Sequence, residues 1–223
     1  MQEEVIFICG GASKPAIGQI EEIQQSFKTC YIIGADRGAL SLIEAGYHLD
    51  EAVGDFDSVT VEELEMIHQR SHKVTLLQAE KDDTDMEIAL MHALAHNEES
   101  YIYIFGGVGQ SEGRMDHLIA NLYLVYQPRF KSCINRLVFV EENNRVSFFS
   151  EGTYQLRYHS TFKYISIVSM SEVKDLSISG AKYELPATNF DYPRALISNE
   201  FMKGQPIELS FSQGMVMVIY TND

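Results

Sequence analysis

Basic side chains are scarce in this chain. Seventeen Lys and Arg stand against 32 Asp and Glu, a formal charge of −15 over 223 residues. Sequence-independent nucleic-acid binding depends on neutralising phosphates with cations, so the balance argues against that class. Docking on anionic lipid is disfavoured for the same reason. Any anionic ligand must be held by metal ions, backbone amides and a few local cations. Cysteine is nearly absent: Cys9, Cys30 and Cys133 lie far apart and form no CxxC pair, which excludes a disulfide framework and a zinc knuckle. The cytoplasm is the expected compartment. Long apolar runs are missing too. The longest is the six residues Met215 to Tyr220, far short of the roughly 20 a membrane-spanning helix needs. The acidic start, running at once into a strand pattern, reads as neither signal nor transit peptide.

Several familiar motifs are also lacking. There is no GxxxxGK[ST], no protein-kinase set and no Gly-x-Ser-x-Gly elbow; Gly107, Gly109 and Gly113 are spaced GxGxxxG rather than GxGxxG. The pairs His68/His72 and His92/His96 have helical spacing, but Gln69 and Ala93 stand where a zinc protease needs Glu. Both pairs are expected to be partly exposed and to bind no metal.

What is present is a folded globular pattern, 45% apolar and 22% charged. Val5–Cys9, Cys30–Ile33, Lys73–Leu77, Tyr101–Phe105 and Leu137–Val140 are near-continuous apolar strands, as in a parallel sheet covered on both faces. Capping boxes at Thr60/Glu63 and Thr84/Glu87 open helices over 61–69 and to about residue 96. A further helix is expected from Arg114 to Tyr126, stopping at Pro128. Beyond Arg145, short runs of period two punctuated by glycine take over. The fold class is α/β: a three-layer N-terminal domain with a mainly parallel sheet (1–145), then a smaller antiparallel β-sandwich domain (146–223).

In a parallel α/β sheet, ligands bind beyond the carboxyl ends of the strands. Four acidic or glycine-rich loops are expected there: Gly34-Ala35-Asp36-Arg37-Gly38, Gly54-Asp55-Phe56-Asp57-Ser58, Lys81-Asp82-Asp83-Thr84-Asp85, and Gly106-Gly107-Val108-Gly109 leading to Arg114, Asp116 and His117. Each alone reads equally as a turn or a helix cap; together they surround one crevice with carboxylates. Asp55 and Asp57, two apart, point the same way if the chain stays extended. Oxygen-only donors suit Mg²⁺, which takes one or two carboxylates plus substrate phosphates. The glycine loop offers amides and a helix N-terminus to an anion, and Arg114 adds a forked cation. Metal-bridged polyphosphate chemistry follows.

This ordered set of motifs resembles the thiamine pyrophosphokinase family: Ala35-Asp36-Arg37-Gly38, Gly54-Asp55-Phe56-Asp57-Ser58, Lys81-Asp82-Asp83-Thr84-Asp85, Gly106-Gly107-x-Gly109 continuing to Arg114-x-Asp116-His117-x-x-x-Asn121, and Ser198-Asn199-Glu200-Phe201 preceded by Gly180-Ala181-Lys182-Tyr183. The resemblance implies pyrophosphoryl transfer from ATP to thiamine by a homodimer whose site is shared between subunits. It implies Asp55, Asp57 and Asp85 as Mg²⁺ ligands and catalytic residues. Asp36, Arg37, Gly107, Gly109, Arg114, Asp116, His117 and Asn121 would shape the ATP site. Lys81, Asp82, Thr84, Ser198 and Asn199 would lie near thiamine or the transferred group. Some relatives stack a tryptophan on the vitamin just after the Ser-Asn pair; this chain has none, and Phe201 is the expected substitute.

Two other readings compete. Asp55-Phe56-Asp57-Ser58-Val59 satisfies the DxDx[TV] pattern of haloacid-dehalogenase phosphatases, although two strands precede it here. A non-enzymatic nucleotide-binding module would need the anion loop but not the surrounding acids.

Overall fold

The computed structural model describes residues 2–108, 114–202 and 204–223. The chain divides into two compact units, Met1–Glu142 and Asn143–Asp223.

In the first unit, strands β1 (Gln2–Cys9), β2 (Phe27–Ala35), β3 (Leu49–Gly54), β4 (Ser71–Leu76), β5 (Tyr101–Phe105) and β6 (Leu137–Val140) form a sheet in the order β6-β5-β1-β2-β3-β4. Every pairing in it is parallel. Val5, Ile6, Phe7 and Ile8 are all fully buried, which alternating side chains allow only where both faces are covered. One face, with Val5, Phe7, Cys9 and Ala52, packs against α1 (Ile20–Gln24), α2 (Arg37–Glu44) and Ile67 of α3 (Val61–Arg70). On the other, Glu51 meets His92 of α4 (Asp85–His96). Three layers result.

Local signals set the helices. Both capping boxes form, with the Thr60 and Thr84 hydroxyls accepting from the Glu63 and Glu87 amides. Met86, Ala89, Leu90 and Ala93 make the buried stripe of α4. The helix expected over 114–126 is shorter: α5 is Met115–Tyr123, followed by tight turns at Leu124–Tyr126 and Pro128–Arg136. The helical run ends at Tyr126, with Gln127 extended before Pro128 as expected; Pro128 also opens the next helical segment, where at the first position its missing N–H costs nothing.

The second unit holds β7 (Asn144–Phe149) through β14 in two antiparallel sheets, ordered β12-β9-β14-β7 and β11-β10-β13-β8. The other strands are β8 (Gly152–Leu156), β9 (Tyr164–Ser169), β10 (Val173–Ser179), β11 (Leu185–Phe190), β12 (Ala195–Asn199), β13 (Ile207–Phe211) and β14 (Val216–Thr221). Leu156, Ile165, Ile167, Leu176, Ile178, Leu209, Phe211 and Val218 interleave in one core, making a β-sandwich. Strands β11 and β12 are absent from the sequence expectations.

Candidate active site

The first four strands step outward in one direction; the chain then returns to the other side of β1 with β5. That reversal between β1 and β5 opens a crevice at their carboxyl ends. Glycine lets the surrounding backbone close in. The Gly10 amide donates to the Phe105 carbonyl at 2.8 Å. A Cβ on Gly38 would overlap the Cys9 carbonyl, so α2 starts directly over the end of β1. The resulting cavity, about 930 Å³, is lined by residues from all four expected loops and by Gly10, Gly11, Ala12 and Ser13. The last four escaped the sequence reading. The signal available was a Gly-Gly pair directly after the first apolar strand.

Asp36, between β2 and α2, has an unusual backbone state (φ 49°, ψ −127°) and accepts at 3.2 Å from the Ser58 hydroxyl. Arg37 donates to the Ser58 carbonyl at 2.7 Å. The 55–57 segment is not extended. Phe56 takes φ +53° so that its ring can enter the core, and the Asp57 amide folds back onto Asp55 Oδ1 at 3.2 Å. Asp55 lines the cavity, whereas Asp57 is exposed on the same turn and is not part of the lining.

Lys81 draws the acids together. Its ammonium donates to Asp55 Oδ2 at 3.0 Å and to the Gln78 carbonyl at 3.2 Å, and lies 3.3 Å from Asp85 Oδ1. Burial works against ionised Asp55, but hydrogen bonds from Lys81 and from the Asp57 amide outweigh it and hold this carboxyl below its usual range. Asp85 goes the other way: burial pushes it up, and Lys81 only partly offsets that. Asp82 and Thr84 also line the cavity, although the Thr84 hydroxyl is engaged in its capping box. Asp83 turns to a bidentate contact with Arg129 at 2.6 and 2.9 Å.

On the opposite wall, buried Asn121 donates to the Gly107 carbonyl, and the Val108 amide donates to Glu141 at 3.1 Å. Arg114 and Asp116 are exposed and paired with each other, and with His117 they line the cavity. Gly109 lies outside the described residues.

Ser198 and Asn199 belong to the sandwich unit. Ser198 is exposed at φ +60°, its amide donating to Ser166 Oγ at 3.2 Å. Asn199 is buried, and its side-chain amide both accepts from the Tyr183 N–H and donates to the Tyr183 carbonyl, fixing the 180–184 turn. Phe201 is stacked on Tyr220 and packed edge-on against Tyr158, while Tyr183 beside Asn199 stands exposed.

The donor set fits a divalent cation. Asp85 Oδ1 is buried with the Lys81 ammonium 3.3 Å away, Asp55 stands across Lys81 from it, and every candidate donor is oxygen. Among the described residues no three His, Cys, Asp or Glu side chains already converge as a metal group. Two carboxylates suffice where phosphates complete the shell. His92 contacts Glu51, and His96 stacks on Tyr31 and reaches Glu4.

Two family patterns match this chain: "Thiamin pyrophosphokinase, catalytic domain" over residues 23–137, and "Thiamin pyrophosphokinase, vitamin B1 binding domain" over 153–216. The thiamine pyrophosphokinase of Bacillus subtilis (strain 168) is 34% identical over 193 residues, 86% of this chain and 87% of its own. Among solved structures, a thiamin pyrophosphokinase family protein from Enterococcus faecalis superposes with a TM-score of 0.88 at 31% identity, covering 98% of this chain and 99% of that one. The thiamine pyrophosphokinase structure from Bacillus subtilis gives 0.81 at 29%, with coverage of 98% and 99%.

Proposed function

The chain belongs to the thiamin pyrophosphokinase family, whose activity is ATP-dependent pyrophosphoryl transfer to thiamine, and from that premise we propose how its residues divide the work. The crevice of the first unit takes ATP. Amides of Gly11–Ser13 and of Gly106 and Gly107 face the phosphates, and Arg114, held ready by Asp116, supplies the forked cation. Asp36 and Arg37 form the wall beside Ser58, and His117 and Asn121 frame the opposite one.

Asp55 and Asp85 hold Mg²⁺, with Asp57 as the outlying third carboxylate. The bound ion would neutralise the triphosphate and orient it for in-line attack. The thiamine hydroxyl attacks the β-phosphorus and AMP leaves. A carboxylate of the same cluster, Asp85 first and Asp57 second, receives the hydroxyl proton. Asp82 and Thr84 lie on the acceptor side, where an acidic wall favours the thiazolium charge. Ser198 and Asn199, on the sandwich of a second copy, complete the vitamin site in a homodimer, with Asn199 acting through the turn that carries Tyr183. The three free cysteines suit a cytoplasmic enzyme.

The carrying observation is the joint approach of Asp55 and Asp85 to Lys81 inside the crevice at the switch point. Incubation with ATP, Mg²⁺ and thiamine should yield AMP and thiamine diphosphate, and no AMP without thiamine. Release of inorganic phosphate independent of thiamine would instead support the phosphatase, for which the DxDx[TV] match is the remaining argument.

A further inference from the structure

The Asp55–Asp85 pair already has a cation. Lys81 Nζ sits 3.0 Å from one carboxylate and 3.3 Å from the other, with only 17% of its side chain exposed. The Gln78 carbonyl fixes the ammonium from a third direction. An ammonium placed so neutralises one of two negative charges and keeps their repulsion tolerable in a partly buried site. A divalent ion bound to the same two carboxylates needs the same space and neutralises both.

We propose that Lys81 is an internal competitor for the metal site: its ammonium and the divalent cation are alternative partners of Asp55 and Asp85. The inference rests on the assignment of those two carboxylates to the metal. Exchange of one cation for the other changes the charge of the carboxylate cluster from −1 to neutral. It also releases a lysine whose three donors can then reach a phosphate oxygen. The metal alone must displace Lys81 and so binds weakly. Metal arriving with a triphosphate binds well, because phosphate oxygens give the displaced ammonium a new partner. The competition therefore couples metal occupancy to nucleotide occupancy and keeps the site from filling with metal unproductively.

The test is Mn²⁺ binding to the full-length protein without nucleotide, read by calorimetry. Lys81→Met should tighten Mn²⁺ binding about tenfold while lowering turnover; Lys81→Arg, which keeps the cation, should leave binding weak. If Lys81→Met binds Mn²⁺ no better than the unaltered protein, the competition is refuted. If Asp55→Asn and Asp85→Asn bind it as well as the unaltered protein does, the metal assignment itself fails, a separate result. A second measurement needs no variant: acetic anhydride labelling, read by mass spectrometry, should increase several-fold at Lys81 on adding Mn²⁺ and stay constant at exposed Lys14. Unchanged labelling of Lys81 with saturating Mn²⁺ would equally overturn the proposal.

Discussion

Arg129 grips Asp83 with both arms of its guanidinium, at 2.6 and 2.9 Å, and its Nη2 lies 3.2 Å from Glu87. The contact ties the turn after α5 to the acidic loop that carries Lys81 and opens α4. Without Arg129 that loop would hold two more uncompensated charges beside the crevice.

Arg129→Met should therefore act on catalysis more than on stability. A half-exposed ion pair adds little to folding, so the melting temperature should stay nearly constant. Mispositioning of the loop should reduce kcat/KM roughly tenfold to a hundredfold. Steady-state rates at varied Mg²⁺, set beside thermal melts, check this; an unaltered kcat/KM would remove the positioning role.

Asp85→Asn should lower turnover by about a thousandfold yet unfold at a higher temperature than the unaltered protein at neutral pH without metal. The sign follows from a carboxyl raised by burial. Its contribution to stability is present while it is protonated and is lost as pH rises through its folded pKa, so at neutral pH the ionised form is a liability. The advantage of Asn must shrink on acidification through the carboxylate range. Denaturant melts between pH 4 and 8 measure it.

Asp55→Asn should be comparably damaging to turnover. Asp57→Asn should cost distinctly less, because Asp57 is exposed on its turn and Asp55 lines the cavity. Rates of the three variants at saturating Mg²⁺ decide the ranking.

Glu51 is a buried acid held by Lys73, Thr75 and His92 at 2.7, 2.8 and 2.8 Å. Burial opposes its ionisation, but these partners prevail and depress its pKa. Glu51→Gln should cost about 2 kcal/mol at neutral pH. That difference should fade as pH falls through the depressed folded pKa, since a lowered carboxyl stabilises only while ionised. Urea melts at several pH values read it directly.

The parallel sheet, its four loops and both capping boxes were legible because each is written in neighbouring residues: an unbroken apolar run, or a Thr three positions before a Glu. The edge strand β12 was not. Ala195 and Ile197 are exposed and the polar Ser198-Asn199 pair closes it, so its sequence resembles a turn. Gly10–Ser13 carries no charge to draw notice. The Asp55/Asp57 geometry needed knowledge of the core, since only the burial of Phe56 explains why its backbone turns over. Pro128 shows a limit of another kind: it marked the end of the run at Tyr126, but the helical segment it also opens went unread.

Among the described residues four non-glycine positions adopt left-handed backbone, and Asp36, Phe56 and Ser198 are three of them. Such conformations each cost on the order of 1–3 kcal/mol. A selection for heat resistance alone would favour glycine at positions 36 and 198, the two positions proposed above to serve the ATP and vitamin sites. Under that proposal, thermal robustness and catalytic competence are set against each other at individual peptide units.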